Sequence, residues 1–412
     1  MQETPKGNRP HIGIFGRRNA GKSSLINSLT NQELALVSAV PGTTTDPVYK
    51  AMELQPLGPV IMIDTAGIDD SGELGELRVK KTLKVIRKID LAVLVIDPEH
   101  GIEDYEKDLL DKLSDNNTPV VSVLNKIDLE FDQSKILTKL KNEVKLEPVF
   151  VSTVAEEGIE DLREEIVNKM PSDTEESFIV GDLVNPGDTI VLVTPIDLAA
   201  PKGRLILPQV QTIRDILDHD GITMVCKERE LKLCLEKLKD PPKLVVTDSQ
   251  AFMKVDADVP EDILLTGFSV LFARYKGDLE IFLRGAKKME NLQPGDKILI
   301  AEACTHRRQA DDIGTVKLPR WLRSSVGGDL EFDHVSGREY PDDLKDYDLI
   351  LHCGSCMLNK KEVISRLEEA DELGVPIINY GMAIAQLHGI LDRALKPFTS
   401  AYRMWLAEKD EF

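Results

Sequence analysis

Residues 16–23 read G-R-R-N-A-G-K-S, and no other stretch constrains the fold of this chain as tightly. Gly16, Gly21, Lys22 and Ser23 fit G-x-x-x-x-G-K-[ST], a loop whose backbone N–H groups wrap phosphate oxygens at a helix N-terminus. Such a loop works only between a strand and a helix. The flanks meet that demand: His11–Phe15 is a short apolar run suited to a buried strand, and Leu25, Ile26 and Leu29 recur at helical spacing. Arg17, Arg18, Asn19, Ala20 and Ser24 complete the expected nucleotide loop. In it Lys22 reaches the β- and γ-phosphates and the Ser23 hydroxyl sits on Mg²⁺.

Three further motifs follow in an order that only a doubly wound sheet explains. Pro41-Gly42-Thr43-Thr44-Thr45-Asp46 is a turn-rich segment in which Thr44 is expected to reach Mg²⁺ and the γ-phosphate when the triphosphate is bound, a switch. The apolar run Pro59–Ile63 ends in Asp64-Thr65-Ala66-Gly67, giving Asp64 a role at Mg²⁺ and the Gly67 N–H a contact to the γ-phosphate. Runs at Leu91–Ile96 and Val120–Leu124 are two more buried strands, and the second leads into Asn125-Lys126-Ile127-Asp128. Asp128 accepts from the N1–H and exocyclic amine of guanine, a pair adenine does not offer, so the expected nucleotide is GTP. Val149–Val151 then presents Ser152 and Thr153 where a base-supporting loop belongs. The catalytic set is Lys22, Thr44, Asp64 and Gly67, with Mg²⁺ held by Ser23, Thr44 and Asp64.

The first domain, residues 1–172, resembles the translation-factor-related small GTPases of the Era and TrmE group. Ile68 stands where Ras-like proteins carry a water-orienting Gln, and Asn19 matches the asparagine that helps hold K⁺ in potassium-activated members. The resemblance implies slow hydrolysis, with K⁺ on Asn19 offsetting charge that develops on the phosphates. The family's Gly-Thr-Thr-Arg-Asp has Thr45 in place of the Arg here.

At 412 residues the chain exceeds one ordinary core. The net charge of −20 argues against a nucleic-acid or anionic-membrane partner reached through a general electrostatic footprint. No apolar run approaches the roughly 18 residues of a membrane span, and the N-terminus lacks a secretory h-region, so a cytoplasmic enzyme is expected. After a polar stretch at Ser172–Glu176, strand and helix signals alternate: Thr189–Pro195, Leu205–Leu217, Thr223–Cys226, Arg229–Leu238 and Leu244–Thr247. This second α/β layer, residues 173–270, has no nucleotide loop or metal spacing, and we read it as a dimerisation domain that makes the protein a homodimer. Cys226 and Cys234 read as buried structural thiols.

The remaining cysteines sit late, in residues 271–412. Strand run Asp296–Ala301 is followed by Cys304 and His306, and run Tyr347–Leu351 by His352, Cys353 and Cys356, before a helix at Lys361–Leu373. If the two strands are parallel neighbours, three thiols and two imidazoles converge at one sheet edge, with Gly354 letting the loop curl. A Cys₃His zinc site, a 4Fe–4S cluster with one open iron and a redox C-x-x-C pair all fit the local spacing. Three thiolates lean toward iron–sulfur, with His306 or His352 as fourth ligand or supporting donor. His334 and His388 read as structural.

C-x-H, a spacer, then H-C-x-x-C, behind a TrmE-like GTPase domain, is similar to the FeFe-hydrogenase maturation GTPases, the HydF family, along the whole chain. The resemblance implies a 4Fe–4S cluster on Cys304, Cys353 and Cys356. It also implies a scaffold and carrier that receives a diiron precursor from two radical-SAM maturases and delivers it to apo FeFe-hydrogenase. The alternative is an Era-like ribosome- or RNA-assembly GTPase with a structural zinc site, which the acidic charge and the lack of a KH-type G-x-x-G loop oppose.

Overall fold

Strand β1 (His11–Phe15) is buried along its whole length and runs into the glycine loop, and α1 (Lys22–Thr30) begins at the loop lysine. A computed structural model of the protein describes residues 7, 9–30, 47–65, 81–171, 178–195, 205–303, 312–337, 340–341 and 343–410. The chain divides into two compact units, Met1–Glu175 and Glu176–Phe412.

In the first unit β1 is joined by β2 (Val48–Leu54), β3 (Gly58–Asp64), β4 (Leu91–Ile96), β5 (Val120–Leu124) and β6 (Val149–Phe150). They lie in the order β2-β3-β1-β4-β5-β6, all parallel except β2, which runs antiparallel to β3 at the edge. Side chains alternate between two hydrophobic layers: Ile12 and Ile14 pack on one face with Leu25 and Ile26, while Phe15 and Ile63 pack on the other with Ile86 and Leu113. Burial on both faces is why these strands read as continuous apolar runs. Edge strand β2 is largely exposed, with only Leu54 fully buried, and its mixed sequence V-Y-K-A-M-E-L gives no such run.

The second unit holds two four-stranded parallel sheets. The first joins β7 (Thr189–Val193), β8 (Ile222–Cys226), β9 (Leu244–Thr247) and β10 (Leu264–Gly267) in the order β10-β9-β7-β8. Helices α3 (Leu207–Asp218) and α4 (Leu231–Lys237) follow β7 and β8, after α2 (Asp104–Asp115) of the first unit. Past β10 come α5 (Phe268–Lys276) and the strongly amphipathic α6 (Leu279–Glu290).

The other sheet joins β11 (Lys297–Glu302), β12 (Glu331–Ser336), β13 (Leu349–His352) and β14 (Ile377–Asn379) in the order β12-β11-β13-β14, with α7 (Lys360–Glu372) between β13 and β14. The condition set by the sequence is met: β11 and β13 are parallel neighbours, with Ala301 opposite His352 at their carboxyl ends. One hydrophobic cluster runs from Ile179 to Trp405 and takes in residues of both sheets.

Helix α6 lies so close to β14 that a Cβ on Gly285 would stand 2.1 Å from the Ile377 carbonyl oxygen. We expect Gly285→Ala to push the helix off the sheet and destabilise the second unit by about 1–3 kcal/mol. Both tryptophans, Trp321 and Trp405, belong to that unit, so a urea titration followed by their fluorescence reads it directly. An unchanged midpoint would contradict this packing.

Candidate functional site

The nucleotide loop is curled by its own lysine. Lys22 Nζ donates to the carbonyls of Gly16 and Arg17, at 2.7 Å each, so the loop closes around a buried ammonium. Asn19 takes a left-handed φ of 62° and is exposed with Arg18 at the loop tip, while Ala20 is fully buried. Arg17 turns away. Its guanidinium pairs with Glu106 at 2.8 Å and Glu103 at 2.8 Å, at the start of α2. Hydrogen bonding to Glu106 outweighs burial and holds the guanidinium above its ordinary pKa. The side chain therefore fastens the loop to α2, a role the sequence reading did not give it.

Ser23 Oγ donates to Asp64 Oδ2 at 2.7 Å, across 41 residues of chain. The adjacent parallel strands β1 and β3, with Ile14 opposite Asp64, bring the two hard oxygen donors expected at Mg²⁺ together. Thr65 donates to the Ile14 carbonyl at 2.6 Å and pins the end of β3 beside the loop. Thr44 and Gly67, with Thr45 and Ile68, lie outside the described residues.

The base-side loop is tied to the phosphate side by Asn125. Fully buried, it donates from Nδ2 to the Ala20 carbonyl at 2.9 Å and lies so near Gly21 that a Cβ there would stand 2.2 Å from Nδ2. Gly21 has a φ of 95°, a second reason for glycine. Lys126, at a φ of 63°, pairs with Asp97 at 2.6 Å. Burial alone would raise the Asp97 carboxyl, but the Lys126 hydrogen bond and charge bring it below its usual value. Asp97, just past β4, is a supporting residue that sequence reasoning missed; its only signal was a carboxylate at a strand's carboxyl end. Asp128 is exposed and oriented by Ser152 Oγ at 2.5 Å, and Ser152 Oγ also accepts from the Ala155 N–H. Thr153, half-buried, follows on the same loop.

The second cluster lies at the carboxyl edge of β11 and β13. Cys353 and Cys356 are both half-buried and in no disulfide. The N–H of Ala303, one residue past β11, donates to Cys353 Sγ at 3.2 Å. Cys304 and His306 lie outside the described residues, as does the stretch Ser172–Glu176. The turn is left-handed at Ser355, φ 51°, rather than at Gly354. Ser355 Oγ meets His352 Nδ1 at 2.9 Å and donates to the Cys353 carbonyl at 3.2 Å, bonds that offset the steric cost of that backbone.

His352 is buried, and Arg366 Nε donates to its Nε2 at 2.8 Å. The ring proton therefore sits on Nδ1, 2.8 Å from the Cys353 carbonyl. Burial, then the Arg366 charge, pushes the His352 pKa down to about 3, so the ring is a neutral brace with protein partners on both nitrogens. Burial also pushes Lys276 down to about 8, opposed by the neighbouring Cys356, and raises Tyr340 to about 12. His334 is exposed on β12. His388 packs its ring against Trp321. At the other sheet Cys234, on α4, is buried and meets Met224 of β8, whereas Cys226, on β8, is half-buried where the sequence predicts a buried thiol; burial still pushes its thiol up to about 12, as suits an inert structural thiol.

The glycine loop between β1 and α1, the Ser23–Asp64 pair and the Asn125–Asp128 loop define the first unit as a P-loop GTPase domain. Residues 11–126 accordingly match the family model for the 50S ribosome-binding GTPase. Residues 179–277 match the hydrogen maturase F dimerization domain, and residues 280–397 the hydrogen maturase F tetramerization domain. The two hydrogen maturase F models together span more than half of the chain, which belongs to the hydrogen maturase F family.

Among curated relatives, the tRNA modification GTPase MnmE of a Thermoanaerobacter species is 38% identical over 160 residues, 38% of this chain and 33% of that protein. The MnmE of Nitrosomonas europaea is 34% identical over 153 residues, 37% of this chain and 33% of that protein. The chain thus spans about a third of the length of these relatives, through its GTPase domain. The solved structure of Aquifex aeolicus Era is 19% identical, with 60% of this chain and 97% of that one covered and a TM-score of 0.35. No helix among the described residues is long and apolar enough to cross a membrane.

Since a hydrogen bond from the Asn125 side-chain amide links the base loop to the phosphate loop, Asn125→Ala should loosen guanine nucleotide binding by about 5–30-fold, the equivalent of about 1–2 kcal/mol. Titration with a fluorescent GDP analogue checks this. Wild-type affinity in the variant would mean that the Asn125–Ala20 bond does not shape the site.

Proposed function

We propose that this protein is a GTP-hydrolysing scaffold that carries an iron–sulfur cluster and, on it, the diiron precursor of the FeFe-hydrogenase active site. The observation that carries the reading is the meeting of the two strand ends: the Ala303 N–H, one residue before Cys304, lies on Cys353 Sγ in a chain of the hydrogen maturase F family. The surroundings fit an anionic thiolate-bound group. An amide N–H points at sulfur, the buried Lys276 ammonium lies beside Cys356, and two nitrogens of the buried Arg366 have no hydrogen-bond partner among the described residues. Cys304, Cys353 and Cys356 would hold a 4Fe–4S cluster, whose fourth iron supplies a coordination point for the diiron cargo. His352 serves as brace rather than ligand, because Arg366 takes its Nε2. His306 remains the candidate imidazole for the fourth iron when no cargo is bound there.

In the first unit, Lys22 and the loop amides from Gly16 to Ser24 bind the phosphates. Ser23 and Asp64 hold Mg²⁺ with Thr44, and Asp128, oriented by Ser152, selects guanine. Gly67 senses the γ-phosphate and Asn19 holds K⁺, which offsets charge during a slow hydrolysis. The nucleotide state biases the loops that carry Thr44 and Gly67, and through them access to the cluster or a partner. Partners are two radical-SAM maturases, which supply the cargo, and apo FeFe-hydrogenase, which accepts it. Residues 1–172 form the GTPase domain, 173–270 the dimerisation domain and 271–412 the cluster domain. The dimerization and tetramerization models support assembly of several copies.

The two chemistries are separable in this reading. We expect Ser23→Asn, prepared without oxygen, to lose GTP hydrolysis while retaining wild-type iron and acid-labile sulfide. Cys353→Ser should do the reverse, and should also lose the ability of loaded protein to activate apo-hydrogenase for hydrogen evolution. A Ser23→Asn protein unable to take up iron would sink the modular account, and so would a Cys353→Ser protein that still activates hydrogenase.

A further inference from the structure

Two cations are buried around one short turn. Lys276, the last residue of α5, is 3% exposed and donates to the carbonyls of Leu358 at 2.9 Å and Cys356 at 3.4 Å. Arg366, on α7 and 4% exposed, gives Nε to His352 and stacks over the Tyr340 ring at 4.1 Å. Its Nη1 and Nη2, and the Tyr340 hydroxyl, are buried without a hydrogen-bond partner among the described residues. Among those residues Arg366 makes no ion pair, although Glu362 and Glu369 lie one turn to either side of it on α7, and the neighbour that opposes the lowering of Lys276 is Cys356. Burying an unpaired cation costs several kcal/mol, so uncompensated positive charge persists in a core only where negative charge meets it. Lys276 grips the turn after Cys356, and Arg366 grips it through His352 before Cys353. Between the two grips lie the sulfurs of Cys353 and Cys356, and negative charge on them, or on whatever they hold, is a source that both cations can meet.

We propose that Lys276 and Arg366 form a cationic frame that favours extra negative charge on the iron–sulfur centre at Cys353 and Cys356, and so raises its reduction potential. The proposal rests on the iron–sulfur reading above. The step concerned is transfer of one electron from a low-potential one-electron reductant, dithionite in the test below, which is itself oxidised; no bond to the cluster is made or broken, and the core goes from 2+ to 1+. A unit charge removed at this range, in an interior of low effective dielectric, shifts that equilibrium measurably.

The test uses the full-length chain, reconstituted without oxygen, with iron and sulfide counted before each titration. Midpoints are read by electron paramagnetic resonance during titration with dithionite and mediators. Lys276→Met and Arg366→Gln should each bias the cluster about tenfold toward the oxidised form, lowering the midpoint by about 59 mV. Lys276→Arg, which keeps the charge, should stay at the wild-type midpoint. A Lys276→Met chain that takes up no iron, beside a Lys276→Arg chain that does, also supports the frame, because charge is then needed to seat the centre at all. Failure of both Lys276 variants to load, with Arg366→Gln titrating as wild type, overturns the proposal. Neutral variants that load fully and keep the wild-type midpoint overturn it too, while leaving the iron–sulfur reading intact. A wild-type chain that takes up no iron and sulfide overturns that reading, and the frame with it.

Discussion

Parallel strand pairing is the constraint on which this molecule depends. A parallel sheet sends every strand's carboxyl end to the same edge, so residues far apart in the chain meet there without any local contact between them. In the first unit β1 and β3 bring Ser23 to Asp64, and β4 and β5 bring Asp97 to Lys126. In the second unit β11 and β13 bring the Ala303 amide to the Cys353 sulfur. The GTPase site and the cysteine site proposed to hold a cluster are thus two uses of one topological rule, each applied inside its own compact unit.

What the edges bring together, buried side chains then hold in shape. Asn125 joins the base loop to the phosphate loop through one amide, and Arg17 fastens the phosphate loop to α2 through a pair of carboxylates. Around the cysteine turn the order is Arg366 to His352 to the Cys353 carbonyl, with Lys276 closing the far side on Leu358. These groups carry no chemistry of their own. They fix rotamers and charge in places where water has been excluded and a misplaced dipole is costly.

Much of this was legible in the sequence because both faces of a parallel strand are apolar. β1, β4, β5 and β9 appear with the bounds their apolar runs give. β2 and β12 did not announce themselves: both are edge strands with mixed, largely exposed residues. β14 spans only three residues, too short for a periodic signal. The nucleotide motifs carry their own spacing, whereas the supports come from distant positions. Nothing local ties Lys276 to a turn 80 residues later, and Arg366 reads as one more charge on a polar helix. The left-handed residue of the turn is Ser355 rather than Gly354, because hydrogen bonds to His352 and Cys353 outweigh the intrinsic preference of glycine.

The central claim is that the thiols at the β11–β13 edge share one iron–sulfur core in a protein whose other unit binds guanine nucleotide. X-ray absorption at the iron edge, on oxygen-free wild-type protein and on Cys356→Ser, tests it most directly. The account predicts, in the wild type, sulfur scatterers near iron together with the iron–iron scattering of a multi-iron cluster, and the loss of both in the variant. A wild-type spectrum without iron–iron scattering, or a variant spectrum identical to it, would contradict the account.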